Sequence, residues 1–106
     1  MLITVFYITA GDEASAQSLG RLAVEEKLAG CSNIFPMTSF FPWDNAMQQE
    51  NEYVIILKTI PALADQLRSF VAEKHPYEIP CIIDWQVNVN DAYGKWIEDN
   101  VRFNSA

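Results

Sequence analysis

Apolar residues recur along this chain with two periods, one typical of strands and one typical of helices. Residues 2–9 alternate in such a way that both faces of a strand would be apolar. Residues 13–29 have apolar positions at helical spacing, with Asp12 placed to cap the first turn and Gly30 placed to end the helix. The stripe of this first helix consists of Ala16, Leu19, Gly20, Ala23, Val24 and Leu28.

The next segment predicts a long β-hairpin. Residues 31–43 are strand-like, but Pro36 and Pro42 cannot both lie in a fully paired central strand. We therefore expect a bent or bulged strand that lies partly at a sheet edge. Asp44-Asn45 tolerates positive φ and predicts the turn, after which residues 48–59 form a return strand that is apolar on both faces.

The second half predicts a helix that stops at the only histidine of the chain. Pro61 suits a first helical position. Because Pro76 disfavours helical dihedral angles at the residue before it, the helix should end at His75. A helix C-terminus also stabilises a cationic imidazole, so a capping role for His75 needs no further function. The stripe of this second helix consists of Leu63, Ala64, Leu67, Phe70 and Val71.

A strand and a third helix complete the predicted order. From residue 81 the pattern alternates, which predicts one dry and one largely wet strand face. The dry face consists of Cys81, Ile83, Trp85, Val87 and Val89. Asn90 or Asp91 can cap a helix with Tyr93, Trp96 and Ile97 on one face. We expect Trp85 and Trp96 to be buried, in the interior or in an interface.

The predicted order β-α-β-β-α-β-α indicates an α+β fold in a single domain over residues 1–106. Its first six elements match the ferredoxin-like arrangement, an antiparallel sheet with two helices on one face, followed here by a C-terminal helix. The second sheet face then lacks a cover within the chain although strands one and three are apolar there, so we expect an oligomer. The hairpin around Trp43 is the predicted arm that reaches a neighbouring subunit.

Composition restricts the classes of molecule that we expect this protein to bind. The 106 residues include 7 Lys and Arg against 14 Asp and Glu, a formal charge of −7, and the basic residues are scattered. We therefore expect no nucleic-acid partner. No apolar run approaches the roughly 20 residues that cross a bilayer, and the first residues resemble a strand rather than a signal peptide. We predict a cytoplasmic protein without a membrane partner, in which Cys31 and Cys81 are reduced.

The sequence shows no pattern typical of an enzyme. It has no second histidine to pair with a cysteine, no Gly-x-Ser-x-Gly elbow and no phosphate-binding glycine loop. Glu50 and Glu52 could be an acid/base pair, but their spacing is also that of a solvated strand edge, which is the interpretation we favour. We predict a protein that binds rather than catalyses.

Residues 75–82 read His-Pro-Tyr-Glu-Ile-Pro-Cys-Ile. This octet resembles the signature of the CutA family of small divalent-cation tolerance proteins, with Cys81 standing where the family normally has glutamate. Other matching segments are residues 24–31, 33–34, 41–43, 57–59 and 93–97. The resemblance implies a compact homotrimer whose sheets pack around a three-fold axis, with a role in copper and divalent-cation tolerance.

Two departures from the family concern the hairpin tip and the metal. The tip has Asn45 and Ala46 where the family has Gly-Lys, so the lysine charge is absent. Some bacterial members are described as binding copper through positions that correspond here to Ile8, Lys74 and His75. We predict at most weak binding of copper or another divalent cation, with His75 and Cys81 as candidate ligands and no tightly bound cofactor.

Two functions stay open from the sequence. The first is a trimeric tolerance protein that binds metal ions. The second is a regulatory module comparable to the PII-like trimers, with a small molecule or a protein partner in its intersubunit clefts.

Overall fold

The computed structural model describes residues 1–102 and has a four-stranded antiparallel sheet of order β2-β3-β1-β4. The elements are β1 (Leu2–Ala10), α1 (Glu13–Glu25), β2 (Cys31–Trp43), β3 (Ala46–Thr59), α2 (Ala64–Lys74) after a single 3₁₀ turn (Pro61–Leu63), β4 (Ile82–Asn88) and α3 (Asp91–Asp99). The predicted ferredoxin-like fold with a C-terminal helix is therefore confirmed. None of the helices in this range is long and apolar enough to cross a membrane.

One sheet face, the covered face, packs against α1 and α2. Its cluster is fully buried and joins both helices to the two central strands. The principal members are Phe6, Ile8, Leu19, Ala23, Ile55, Leu57, Leu67 and Val71. Removing apolar surface of this kind from water supplies most of the stability of a small domain.

The opposite face, the second face, is covered by residues 1–102 only at one end. α3 contributes Ile97 to a smaller buried cluster with Ile3 of β1, and Val87 of β4 packs against it. The expectation that this face lacks any cover within the chain is therefore wrong at this end. Beyond α3 the face stays open, and Phe35 and Ile83 are about half exposed there.

The C-terminus of α1 differs from the prediction. The helix ends at Glu25, and Lys27 takes a left-handed conformation with φ 58°. The amides of Lys27 and Leu28 then bond to the carbonyls of Val24 and Ala23, which is a Schellman motif. Gly30 is not the helix stop, because its amide bonds instead to the carbonyl of Lys58 on β3.

The hairpin has the predicted turn and the predicted edge position. Asp44 and Asn45 have φ of 51° and 63°, as a two-residue hairpin turn requires. Pro36 and Pro42 lie on β2, the edge strand. Of the two predicted alternatives, a bend or a bulge, the bulge is absent, since β2 and β3 stay in one register from Cys31–Lys58 to Trp43–Ala46. Both prolines occupy the alternate positions whose nitrogens point away from β3, so neither interrupts the ladder.

The alternation predicted for β4 is right, but its dry face is not buried within one chain. Trp85 lies on the second face opposite Val5 and is 44% exposed. The other face carries Asp84, whose carboxylate accepts a 2.9 Å hydrogen bond from Arg68 of α2. Trp96 of α3 is 50% exposed. Burial of either tryptophan in the interior is therefore ruled out, and burial in an interface stays a prediction.

Candidate functional site

The α2–β4 loop (residues 75–81) begins at the buried His75. Its backbone is extended (φ −72°, ψ 134°), as a residue before proline should be, and its amide closes α2 on the carbonyl of Val71. Nε2 lies 2.6 Å from the carbonyl oxygen of Thr9, and Nδ1 accepts from the amide of Tyr77 at 3.1 Å. Because a carbonyl can only accept, Nε2 carries a proton. Nδ1 accepts from an amide and therefore carries none, so the imidazole in this arrangement is neutral.

His75 thus ties the loop to the end of β1. A metal ion at either ring nitrogen would have to displace one of its two hydrogen bonds. The expected capping position is confirmed, whereas ligation by His75 stays a prediction that this geometry disfavours. Ile8 and Lys74, the other positions that correspond to described copper ligands, are a buried core residue and an exposed helix end.

Tyr77 connects the loop to β3. Its hydroxyl donates a 3.0 Å hydrogen bond to Oε2 of Glu52, and its ring lies against His75 with centroids 4.9 Å apart. Gly11 makes room for this ring, since a Cβ there would lie 2.5 Å from the tyrosine oxygen. Burial first, and then the bond to Glu52, raises the pKa of Tyr77 to about 12.

A cavity of about 520 Å³ lies between this loop and the arm. The arm comprises residues 37–52, the part of the β2–β3 hairpin that extends beyond the end of β1. Twelve residues line the cavity, of which three are acidic and three are aromatic. They are Thr9, Gly11, Phe41, Trp43, Gln48, Glu50, Asn51, Glu52, Tyr77, Glu78, Ile79 and Cys81.

The two sequence-predicted site residues have different positions. Cys81 is free, half-buried and lines the cavity. His75 does not line it and instead orients Tyr77, which does. Within residues 1–102 no group of three His, Cys, Asp or Glu side chains is arranged to hold a metal ion.

Sequence reasoning missed the carboxylates of this site. Glu52 was interpreted as part of a solvated strand edge, but it is only 9% exposed, so that interpretation is wrong for Glu52. Glu50 is exposed, and it lines the same cavity. Their two-residue spacing puts both on one strand face, and that alternation was the available signal. Nothing local indicated that Tyr77 would lie above them.

Comparisons with known proteins agree with this architecture. Residues 4–100 match the model of the family described as CutA1 divalent ion tolerance protein. The chain is 31% identical over 99 residues to the divalent-cation tolerance protein CutA of Pyrococcus horikoshii, covering 92% of this chain and 97% of that one.

Solved structures give the same result. The crystal structure of divalent ion tolerance protein CutA1 from Ehrlichia chaffeensis has a TM-score of 0.91 at 31% identity, covering 95% of this chain and 96% of that one. The structure of the protein called periplasmic divalent cation tolerance protein CutA from Archaeoglobus fulgidus has a TM-score of 0.88 at 32% identity, covering 94% and 99%. This chain therefore belongs to the CutA1 divalent ion tolerance protein family.

Proposed function

We propose that this protein is a homotrimer that supports divalent-cation tolerance by binding cations rather than by catalysis. The family supplies the tolerance role. The cavity carries the binding role, because its wall combines the carboxylates of Glu50, Glu52 and Glu78 with the thiol of Cys81. Carboxylate oxygens suit hard divalent cations, and a thiolate suits copper.

The open part of the second face supports self-association. Phe35, Ile83 and Trp85 are each about half exposed on it, and monomers rarely leave such an apolar surface in water. The number three comes from the resemblance to the family. Light scattering at micromolar concentration should give three times the chain mass of 12.0 kDa. The mass of one chain would contradict the trimer.

For copper we propose weak binding, with Cys81 as the soft ligand and no tightly bound cofactor. His75, the other predicted ligand, serves the site by holding Tyr77 and the loop, because both of its ring nitrogens are hydrogen-bonded. The same two bonds support a binding role over a catalytic one, since this imidazole is not free to exchange protons with a substrate.

A copper titration with calorimetric detection tests the assignment. The reduced wild-type protein and the Cys81→Ser and Cys31→Ser variants form a matched set, because Cys31 does not line the cavity. We expect Cys81→Ser to weaken copper binding about tenfold, and Cys31→Ser to leave it unchanged. Equal binding by all three would locate the metal elsewhere. A His75→Ala variant that loses copper without a change in thermal stability would restore His75 as a ligand.

A regulatory module that binds a small molecule is the second candidate function. The observation that favours it is the size of the cavity, which lies in the usual range for small-molecule sites, together with the aromatic wall formed by Phe41, Trp43 and Tyr77. A thermal-shift screen separates the two candidates. Metal ions that raise the melting temperature support cation tolerance by direct binding, and metabolites that raise it support the regulatory module.

The cytoplasmic location and the lack of a nucleic-acid partner stay predictions from the sequence. The formal charge of −7 supports the second of these, because phosphates would be repelled. Cell fractionation tests the location. A gel shift with duplex DNA that retained the protein in a salt-sensitive way would contradict the other.

A further inference from the structure

The cavity between the arm and the α2–β4 loop contains a buried carboxylate without a positive partner. Glu52 is nine-tenths buried, and its one hydrogen-bond partner among residues 1–102 is the neutral hydroxyl of Tyr77. None of the ion pairs in that part of the chain includes it. A buried carboxylate is costly unless a cation or several donors satisfy it, so Glu52 would be stabilised by a positive group, which residues 1–102 do not supply.

The surroundings of Glu52 strengthen this negative potential. Glu50 and Glu78 line the same cavity, and no lysine or arginine of residues 1–102 does. The pKa of Tyr77 is raised first by burial and by its hydrogen bond to Glu52, and the charges of Glu52, Asp12 and Glu50 raise it further. Anionic and phosphorylated molecules are therefore excluded as ligands of this cavity.

The other walls are aromatic and apolar. Phe41 and Trp43 lie on the arm, Tyr77 and Ile79 on the loop, and all four line the cavity. Aromatic faces attract cations, and they also bury apolar carbon. A bare metal ion would use only the carboxylates and the thiol of Cys81, and would leave most of the 520 Å³ unfilled. An ion with an apolar body would use both kinds of wall.

We propose that this cavity binds a small organic cation, an amine or guanidinium group attached to an apolar body, with Glu52 as its counter-ion and Trp43 and Tyr77 as its aromatic walls. The inference rests on the second candidate function and names its ligand class. The same chemistry occurs in a free amine and in the lysine or arginine side chain of another polypeptide. The cavity volume suits the free molecule, and the experiment below distinguishes the two sources.

Three ligands of nearly equal size test the charge requirement by calorimetry on the full-length wild-type assembly. They are 2-phenylethylamine, 2-phenylethanol and 3-phenylpropionate, which are cationic, neutral and anionic at pH 7. We expect the amine to bind at least about tenfold more tightly than the alcohol, and the acid not to bind. Equal binding of amine and alcohol, or no binding of the amine, would overturn the proposal.

Two variants that each remove one negative charge, one inside the cavity and one outside it, test whether the amine binds in this cavity. Glu52→Gln should reduce the affinity for the amine to that of the alcohol. Glu73→Gln, which removes an exposed carboxylate of α2 outside this cavity, should leave it unchanged. If Glu52→Gln does not fold, Glu50→Gln replaces it, because Glu50 is exposed; there the amine should bind several-fold more weakly. Loss of amine binding in Glu73→Gln, or wild-type binding in both cavity variants, would overturn the assignment.

Two further measurements distinguish a free amine from a polypeptide side chain, and the failure of this inference from the failure of direct metal binding. A capped dipeptide of phenylalanine and lysine competes with the amine; weaker competition than by free amine identifies a small molecule, and stronger competition identifies a polypeptide side chain. Either result supports the cation site. Copper titrated into the same samples distinguishes the failures, since copper binding without amine binding refutes only this inference, and the reverse refutes only direct metal binding.

Discussion

The covered face and the second face of the sheet differ in how much of each face is covered by helices of the same chain. The covered face receives α1 and α2, and its core cluster is buried. Within the described part of the chain the second face receives only α3 at one end, and on this face Trp85 and Ile83 are about half exposed. Both faces carry apolar residues, but only the covered face has a large core formed with helices of the same chain. The difference indicates that the covered face stabilises the fold within one chain, whereas the second face leaves apolar surface open on which the proposed self-association would act.

The largest expected effect is on the covered face. Phe6 is fully buried beneath both helices, so Phe6→Ala should lower the free energy of unfolding by about 3–5 kcal/mol. Urea denaturation at one fixed protomer concentration measures it, because an oligomer's stability depends on concentration. A change below about 1 kcal/mol would show that this face does not dominate stability.

A charge on the second face should instead act on assembly. Trp85→Glu places a carboxylate on the open apolar surface, so we expect the variant to stay folded by circular dichroism and to dissociate to the 12.0 kDa chain in light scattering. Val24→Glu is the matched control, since Val24 is exposed on α1, away from this face. Dissociation of the control, or an unchanged mass in Trp85→Glu, would remove the contrast between the faces.

A smaller effect is expected at the contact of Gly11 with Tyr77. A methyl group at position 11 would meet the tyrosine oxygen, so Gly11→Ala must displace the ring from Glu52 and should destabilise the protein by about 1–3 kcal/mol. In a Tyr77→Phe background the oxygen is absent and the same substitution should be milder. A double-mutant cycle measures the coupling, and strict additivity would mean that the contact is not the cause.

The smallest expected effect concerns stability at high pH. The pKa of Tyr77 is raised from 10.0 to about 12, so the protonated phenol is favoured in the folded protein. Its stabilising contribution is complete below pH 10 and is lost as the pH rises towards 12. Tyrosinate absorbance should show a late-titrating group that Tyr77→Phe removes. If Glu52→Gln does not shift that group to lower pH, the hydrogen bond to Glu52 is not a cause.

The sequence pattern correctly predicted the ends of those elements that are determined by the residues at the end itself. The turn at Asp44 and Asn45 and the stop of α2 at His75 were predicted because the residues themselves restrict the backbone. The end of α1 was not, because part of what holds it is distant in sequence. Arg102 donates to the carbonyls of Glu26 and Lys27, across about 75 positions, and fixes the left-handed turn there. No local pattern contains such a contact.

The candidate site was predicted only in part for the same reason. The His75–Ile82 octet attracted attention to the loop, and Cys81 does line the cavity. The role of Glu52 in the cavity could not be predicted from the sequence, because it depends on the β1–β3 register, which places the arm beside Tyr77. Tyr77 is 25 residues away from Glu52 in sequence. A carboxylate two residues from another carboxylate is ordinary on a strand. Its burial is a property of tertiary structure.

The unbroken β2–β3 register also has a consequence for the order in which the chain folds. This hairpin closes through a two-residue turn, whereas β1 and β4 bring Leu2 and Asn88 together across most of the chain. Because closing a long loop costs more entropy than closing a short one, the hairpin should form first and the β1–β4 pairing last. The cavity needs both the arm and the loop before β4, so it should be completed late. Pulsed hydrogen exchange during refolding should protect the amides of the arm before those of β4; simultaneous protection would contradict this order.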